Sequence, residues 1–277
     1  MNAAEASGEP GRTARAAHSE LWRVAARKLV IAAIFFGGWE VAVRVSGVSP
    51  ILIPSVEGVF GSFFRGIADL SLIYSTWATV QNLLIAMLVG LAIAVALNIG
   101  AFLSSWGREA LQTVAAALNP LPAIALLPVA FLWFGASTTS LLFVLVNSVV
   151  WAMALNIFTG FSTVPRTIRF VGRNMGLRGL ALFRHVYVPA ALPYIYTGIK
   201  ISWAFGWRTV IAAELVFGAT ASAGGGLGWR IFIDRYNLDT EGTFAGLLTI
   251  ILIGLAVDSL FRLVERRTIQ KWGMAEH

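Results

Sequence analysis

Six stretches of this chain are long and apolar enough to decide what it folds into: 29–45, 80–103, 111–134, 140–158, 192–217 and 243–261. A helix that crosses the hydrocarbon core needs about 20 largely apolar residues at about 1.5 Å each. The fold class this predicts is an all-α integral membrane protein with six transmembrane helices. Composition supports it: 57% of the 277 residues are hydrophobic and 13% are charged, against roughly 45–50% and about 25% in soluble domains. A soluble enzyme of this size would lack the polar side chains to cover itself. The chain has no cysteine, which excludes disulfides, thiolate metal ligands and a Cys nucleophile, and its three histidines argue against a His-rich metal site.

Charge placement sets orientation. Basic residues gather in the N-terminal tail (Arg12, Arg15, Arg23, Arg27, Lys28), after the second stretch (Arg108), after the fourth (Arg166, Arg169, Arg173, Arg178, Arg184) and after the sixth (Arg262, Arg266, Arg267, Lys271). The alternate loops hold only Arg65, Arg230 and Arg235. Such asymmetry predicts that the rich side is cytoplasmic, with both termini there and an even number of spans. It also accounts for the net charge of +7 without nucleic acid. Residues 1–28 read as a cytoplasmic tail, disordered over Met1–Glu20. The late, acid-bearing first stretch reads as a retained span rather than a cleaved signal. The six-span domain covers 29–272, and 273–277 form a C-terminal tail.

Two outer segments have character. Pro54–Leu70 places Val56, Val59, Phe60, Phe63, Phe64 and Ile67 on one helical face, which fits an interfacial helix or one packed on the protein. Ser222–Gly228 is a Gly-rich turn but no phosphate loop, since no Gly-Lys-Ser/Thr follows.

The long fourth loop, about 159–191, is basic with apolar residues at helical spacing: Phe170, Leu177, Leu180, Ala181, Phe183 and Val186. Two short amphipathic helices joined at Gly176 are predicted, stopped at Pro189 and Pro193. They suit either an anionic lipid surface or a docking partner.

This loop resembles the cytoplasmic coupling loop of binding-protein-dependent ABC importer permeases. That signature runs Glu-Ala-Ala, three residues, Gly, about nine more, an apolar residue, one residue, Leu-Pro. Gly176 takes the Gly position, Val186 the apolar position and Val188-Pro189 the Leu-Pro position. Phe170-Val171-Gly172 occupies the Glu-Ala-Ala slot without its acid. Asn119–Pro122 through Pro128 to Trp133-Phe134-Gly135 is similar to the third span of the nitrate/sulfonate/taurine permease subfamily. Ile199–Leu215, Gly226–Gly228, Phe244–Gly246 and Glu265–Trp272 resemble the rest of that type I fold. The resemblance implies a homodimer in the bacterial cytoplasmic (inner) membrane. Two ABC ATPase subunits would dock on Phe170, Val171, Gly172, Arg173, Gly176, Leu177, Leu180, Val186 and Pro189, and an extracytoplasmic solute-binding protein would deliver a small anion. The chain carries no Walker motif. It is therefore read as a permease rather than an enzyme, with no cofactor of its own and ATP and magnesium held by the partner subunits.

Candidates for the translocation path are Asn119, Pro122, Pro128, Trp133, Arg208 and Glu214. Pro120, Pro122 and Pro128 are expected to bend or break the third span, lining a path or packing the bundle. Arg208 and Glu214, six apart on the fifth span, do not share a helical face. Arg208 suits either an anion path or an interhelical pair with Glu40, or with Glu214 of a neighbouring chain. Glu40 and Arg44 are expected to pair on their own helix, and Lys200 and Asp258 to snorkel. The competing reading is a self-sufficient secondary transporter or channel for a small anion. It would call for matching broken helices in both halves, which only the third span offers.

Overall fold

A computed structural model describes residues 10–217 and 225–267, with side chains from Arg23 onward except at 24, 25 and 180. The described residues are helical throughout. The helices are α1 (Pro10–Ser46), α2 (Val56–Ala68), α3 (Ser71–Leu103), α4 (Ser105–Leu118), a 3-10 turn (Ala123–Leu126), α5 (Leu127–Phe134), α6 (Thr138–Ser162), α7 (Arg166–Asn174), α8 (Gly179–Leu182), a π turn (Phe183–Tyr187), α9 (Val188–Phe217), α10 (Leu227–Tyr236) and α11 (Thr240–Arg267). The chain divides into two units, Met1–Gly61 and Ser62–His277.

In the first unit, α1 begins at Pro10, inside the tail expected to be disordered. A segment rich in Ala and Arg lacks a core but has high helix propensity, and the propensity decides. Glu40 meets Arg44 at 2.6 Å, as expected, and its second oxygen accepts from Val56 N at 2.8 Å, pinning the start of α2. The predicted helix in Pro54–Leu70 is α2.

In the second unit, helix directions follow from the pairings. Gly90 of α3 lies under Val149 of α6, and Asn98 Nδ2 donates to Ala154 O at 3.0 Å, so α3 and α6 run parallel. Along α9, Gly198 faces Asn156 and Ser202 Oγ donates to Val149 O at 2.8 Å, so α9 runs against α6. Helix α11 runs against α9: Tyr196, early in α9, donates to Phe261 O, whereas Trp207, further along, meets Gly254, with Nε1 3.8 Å from where a Cβ there would stand. Small residues at these crossings let the backbones close up, as membrane helices require in the absence of a hydrophobic drive between them.

Among the described residues, four helices are long and apolar enough to cross a membrane: Ala26–Ser46, Ser71–Leu103, Thr138–Ser162 and Thr240–Arg267. Segments Ser105–Leu118 and Ala123–Phe134 form a pair bent by 91° that serves as a fifth. Two parallel helices, α3 and α6, require the chain between them to return across the bundle. Helix α4 starts beside the end of α3, with Gly107 against the Gly100 carbonyl. Helix α5 ends beside the start of α6, where Ser140 Oγ donates to Ala130 O at 3.1 Å. The pair is therefore a broken span and not a re-entrant loop. Helix α9 carries Lys200, Arg208 and Glu214, and its antiparallel packing makes it the sixth crossing.

Candidate translocation path and coupling loop

The third span breaks where two prolines fall in one turn. Ser104 caps α4 by accepting from Gly107 N at 2.9 Å, and the helix closes with Asn119 N on Ala115 O at 2.9 Å. Pro120 and Pro122 then offer no N–H, and Pro122 takes ψ 115°, outside the helical range. The expectation for Pro128 needs correction. It lies in the first turn of α5, where the N–H would have no partner anyway, so it starts a helix instead of bending one.

The break opens a cavity of about 390 Å³. Asn119 and Pro122 line one side, Asn147, Ser148 and Trp151 of α6 another, and Arg208 and Thr209 of α9 a third. Trp151 Nε1 donates to Asn147 Oδ1 at 3.0 Å, which fixes the Asn147 amide and leaves its buried Nδ2 without an acceptor. Ser148 Oγ donates to Leu145 O at 2.7 Å. Arg208 is solvent-accessible and makes no carboxylate pair among the described residues. The cavity thus presents an unspent amide donor and a guanidinium at the depth where the span breaks. Such a constellation attracts an anion and holds it through N–H donors.

Glu214 lies elsewhere. It is 4% exposed six residues on, in the last turn of α9, where Oε2 accepts from Thr79 Oγ1 at 2.8 Å and from Gly228 N at 3.0 Å. Thr79 Oγ1 in turn accepts from Leu227 N at 2.8 Å. A carboxylate thus receives the N-terminal amides of α10, directly and through Thr79, where the helix dipole favours negative charge. The Gly226-Leu227-Gly228 run is needed for this approach. A Cβ on Gly226 would lie 2.1 Å from Glu214 Oε1, and one on Gly228 2.5 Å from Ile211 O. Trp133 is also outside the cavity. It is 62% exposed at the end of α5, edge-on to Phe143 at 5.7 Å. Of the six path candidates, Asn119, Pro122 and Arg208 are brought together; Pro128, Trp133 and Glu214 are not.

The candidate coupling loop forms two helices hinged at Gly176, which takes φ +84°. Phe170, Val171, Gly172 and Arg173 lie on α7. Gly172 is buried, and an added Cβ would sit 2.8 Å from Val186 Cγ2 and 2.9 Å from Leu182 Cδ1. The slot that lacks the acid is therefore the close-packing point of α7 on the next helix. Val186, Leu182, Tyr187 and Val164 form the small core beneath it, with Leu177 at its edge. Leu180 lies on α8 by its backbone; its side chain is outside the described residues. Phe170 (65% exposed) and Val171 (55%) face outward with Met175 (74%). The second helix does not stop at Pro189 or Pro193. It continues through the π turn into α9, with Val188 N reaching back to Phe183 O. A turn widened by one residue just before Pro189 makes room for a ring that would clash in a regular helix. The Gly-rich stretch Ser222–Gly228 is described only from Gly225 onward, and Trp272 also lies outside the described residues.

Sequence reasoning missed Thr79 and Asn147. Both are neutral polar residues inside apolar helices, a signal available in the sequence but weaker than a charge.

Residues 86–270 match the family described as binding-protein-dependent transport system inner membrane component. Three relatives are similar along most of their length. The aliphatic sulfonates transport permease protein SsuC of Escherichia coli (strain K12) is 30% identical over 86% of this chain and 89% of its own. The nitrate import permease protein NrtB of Leptolyngbya laminosa is 28% identical over 76% and 74%. The taurine transport system permease protein TauC of Escherichia coli (strain K12) is 25% identical over 85% and 86%.

Proposed function

Because the chain belongs to the family of binding-protein-dependent transport system inner membrane components, we propose that it is the membrane-spanning subunit of an ATP-driven importer for a small oxyanion of the sulfonate, taurine or nitrate type. The observation that carries the solute class is the cavity at the broken span, where Arg208 and the free Asn147 amide face a space of about 390 Å³ with no carboxylate among the described residues on its walls. The names of the three relatives agree with an anion. In this reading Asn119 and Pro122 hold the break open and Arg208 lowers the barrier to a negative solute in a medium that resists charge.

The same reading places the chain as a homodimer in the cytoplasmic membrane, with the Arg-rich end of the bundle and both termini in the cytoplasm. Two ATPase subunits dock on α7 and α8 through the outward Phe170, Val171 and Met175 and the neighbouring arginines, and a solute-binding protein loads the opposite face. Movement of α8 passes into the bundle because α8, the π turn and α9 are one continuous helical rod. Shifting α8 therefore shifts Arg208.

The test is ATP-dependent uptake of taurine, an alkanesulfonate and nitrate into proteoliposomes. These hold the permease with its cognate ATPase and binding protein. Saturable uptake of one of them, lost when any component is left out, supports the assignment. Uptake driven by an ion gradient through the purified permease alone would establish a secondary transporter instead.

A further inference from the structure

A second polar cavity, of about 340 Å³, lies at the coupling-loop end of the bundle, remote from the break. Its polar walls are Arg108 from the first turn of α4, Arg169 and Arg173 from α7, Ser162 at the end of α6, Tyr187 in the π turn and Asn98 of α3. Three arginines line this space, and among the described residues no carboxylate does. Among the described residues none of the three is paired with an acid. Arg169 Nε is shielded from solvent and makes no hydrogen bond. Asn98 is 2% exposed at the cavity wall, its amide held by donation to Ala94 O at 2.8 Å and Ala154 O at 3.0 Å. Its Oδ1 is left unpartnered, a buried free acceptor beside the arginine donors.

Like charges crowded around one recess repel, and a shielded N–H without an acceptor is costly. Both are relieved by one kind of occupant. We propose that this cavity is a binding site for a tetrahedral oxyanion, a phosphate group above all. Arg108, Arg169 and Arg173 supply charge-assisted hydrogen bonds to its oxygens, and Asn98 Oδ1 accepts a proton that the oxyanion retains. Bound there, the oxyanion joins α4, the first half of the broken span, to α7, the first coupling helix, and so stiffens the loop against the bundle. The site rests on these side chains alone and is independent of which solute the path carries. Its phosphate has two sources, free phosphate or the headgroup of an anionic lipid.

The experiment uses the full-length permease in neutral detergent, titrated with sodium phosphate while ionic strength is held constant with sodium chloride. The thermal unfolding midpoint and the hydrogen exchange of residues 166–174 are read together. A saturable rise in the midpoint with slowed exchange in α7, both weakened at least tenfold in apparent affinity by Arg169→Gln and by Arg108→Gln, is the expected result. If Arg169→Gln does not fold, Arg108→Gln and Arg173→Gln carry the test. Nanodiscs of phosphatidylcholine, with and without phosphatidic acid, separate the sources. If phosphatidic acid raises the midpoint and removes the response to added phosphate, the ligand is a headgroup; if the response persists, it is free phosphate. An equal rise with chloride alone, a rise that the arginine variants leave unchanged, or no response in detergent and in both discs overturns the site.

Discussion

Two charges on one helix have opposite fates. Arg208 and Glu214 are six residues apart on α9, in a stretch that is otherwise largely apolar. Arg208 is accessible and faces a cavity with an unused amide donor beside it. Glu214 is buried and receives Thr79 and the start of α10. One is a charge left open to something that comes and goes. The other is spent on holding three helices together. A charge at membrane depth is expensive in either case, so its presence alone does not reveal its role; its partners do.

The widest break in that contrast comes from removing Glu214. Glu214→Leu strands Gly228 N–H in a closed site, at about 1–3 kcal/mol, and leaves Thr79 Oγ1–H only the Ser75 carbonyl at 3.2 Å. Purified yield and the thermal midpoint should fall sharply, and Glu214→Gln, which keeps an acceptor, should recover most of the loss. If the leucine variant is as stable as the parent, the acid is not a structural pin and belongs with the path candidates after all. Gly228→Ala attacks the same knot from the other side. Its Cβ meets the Ile211 carbonyl, a backbone atom that cannot rotate away, and overpacking of this kind costs about 1–3 kcal/mol.

Arg208→Met should leave the fold intact, within about 0.5 kcal/mol, since no partner is stranded. Uptake of the transported anion in proteoliposomes should nonetheless drop at least tenfold, equivalent to about 1.4 kcal/mol, with Arg208→Lys between the two. An Arg208→Met protein that loses stability and uptake in step would put Arg208 in the same class as Glu214 and erase the distinction.

How much of this could be read in the sequence follows from what each feature depends on. Hydropathy is a property of a window, so the crossings, the helix within Pro54–Leu70 and the hinge at Gly176 were legible. So was the Glu40–Arg44 pair, whose partners are four residues apart. The role of Glu214 was not, because Thr79 is 135 residues away and carries no charge. Gly226 and Gly228 looked like a flexible turn, yet they are glycines because a carboxylate and a carbonyl occupy the space of a side chain. Asn147 was hidden because, like Thr79, it carries no charge. The continuous rod through Pro189 and Pro193 was missed because a proline ends a regular helix but is tolerated after a π turn, and no local pattern marks that turn.

The smallest effect sharpens the account of the break. Three prolines stand in the third span, and by composition they are equivalent. By position they are not: Pro120 and Pro122 terminate α4, whereas Pro128 is in the opening turn of α5. Pro128→Ala removes no strain and frees one N–H that has no helical partner, so stability should move by less than about 1 kcal/mol and uptake hardly at all. Pro122→Ala restores a backbone donor at the break and permits helical ψ there. It should reduce uptake several-fold by letting the chain straighten into the cavity that Arg208 faces. Equal effects of the two substitutions would mean that the 91° bend is set by packing of α4 and α5 on α6 and not by the missing amides. The open site at Arg208 would then depend on the bundle as much as the closed one at Glu214 does.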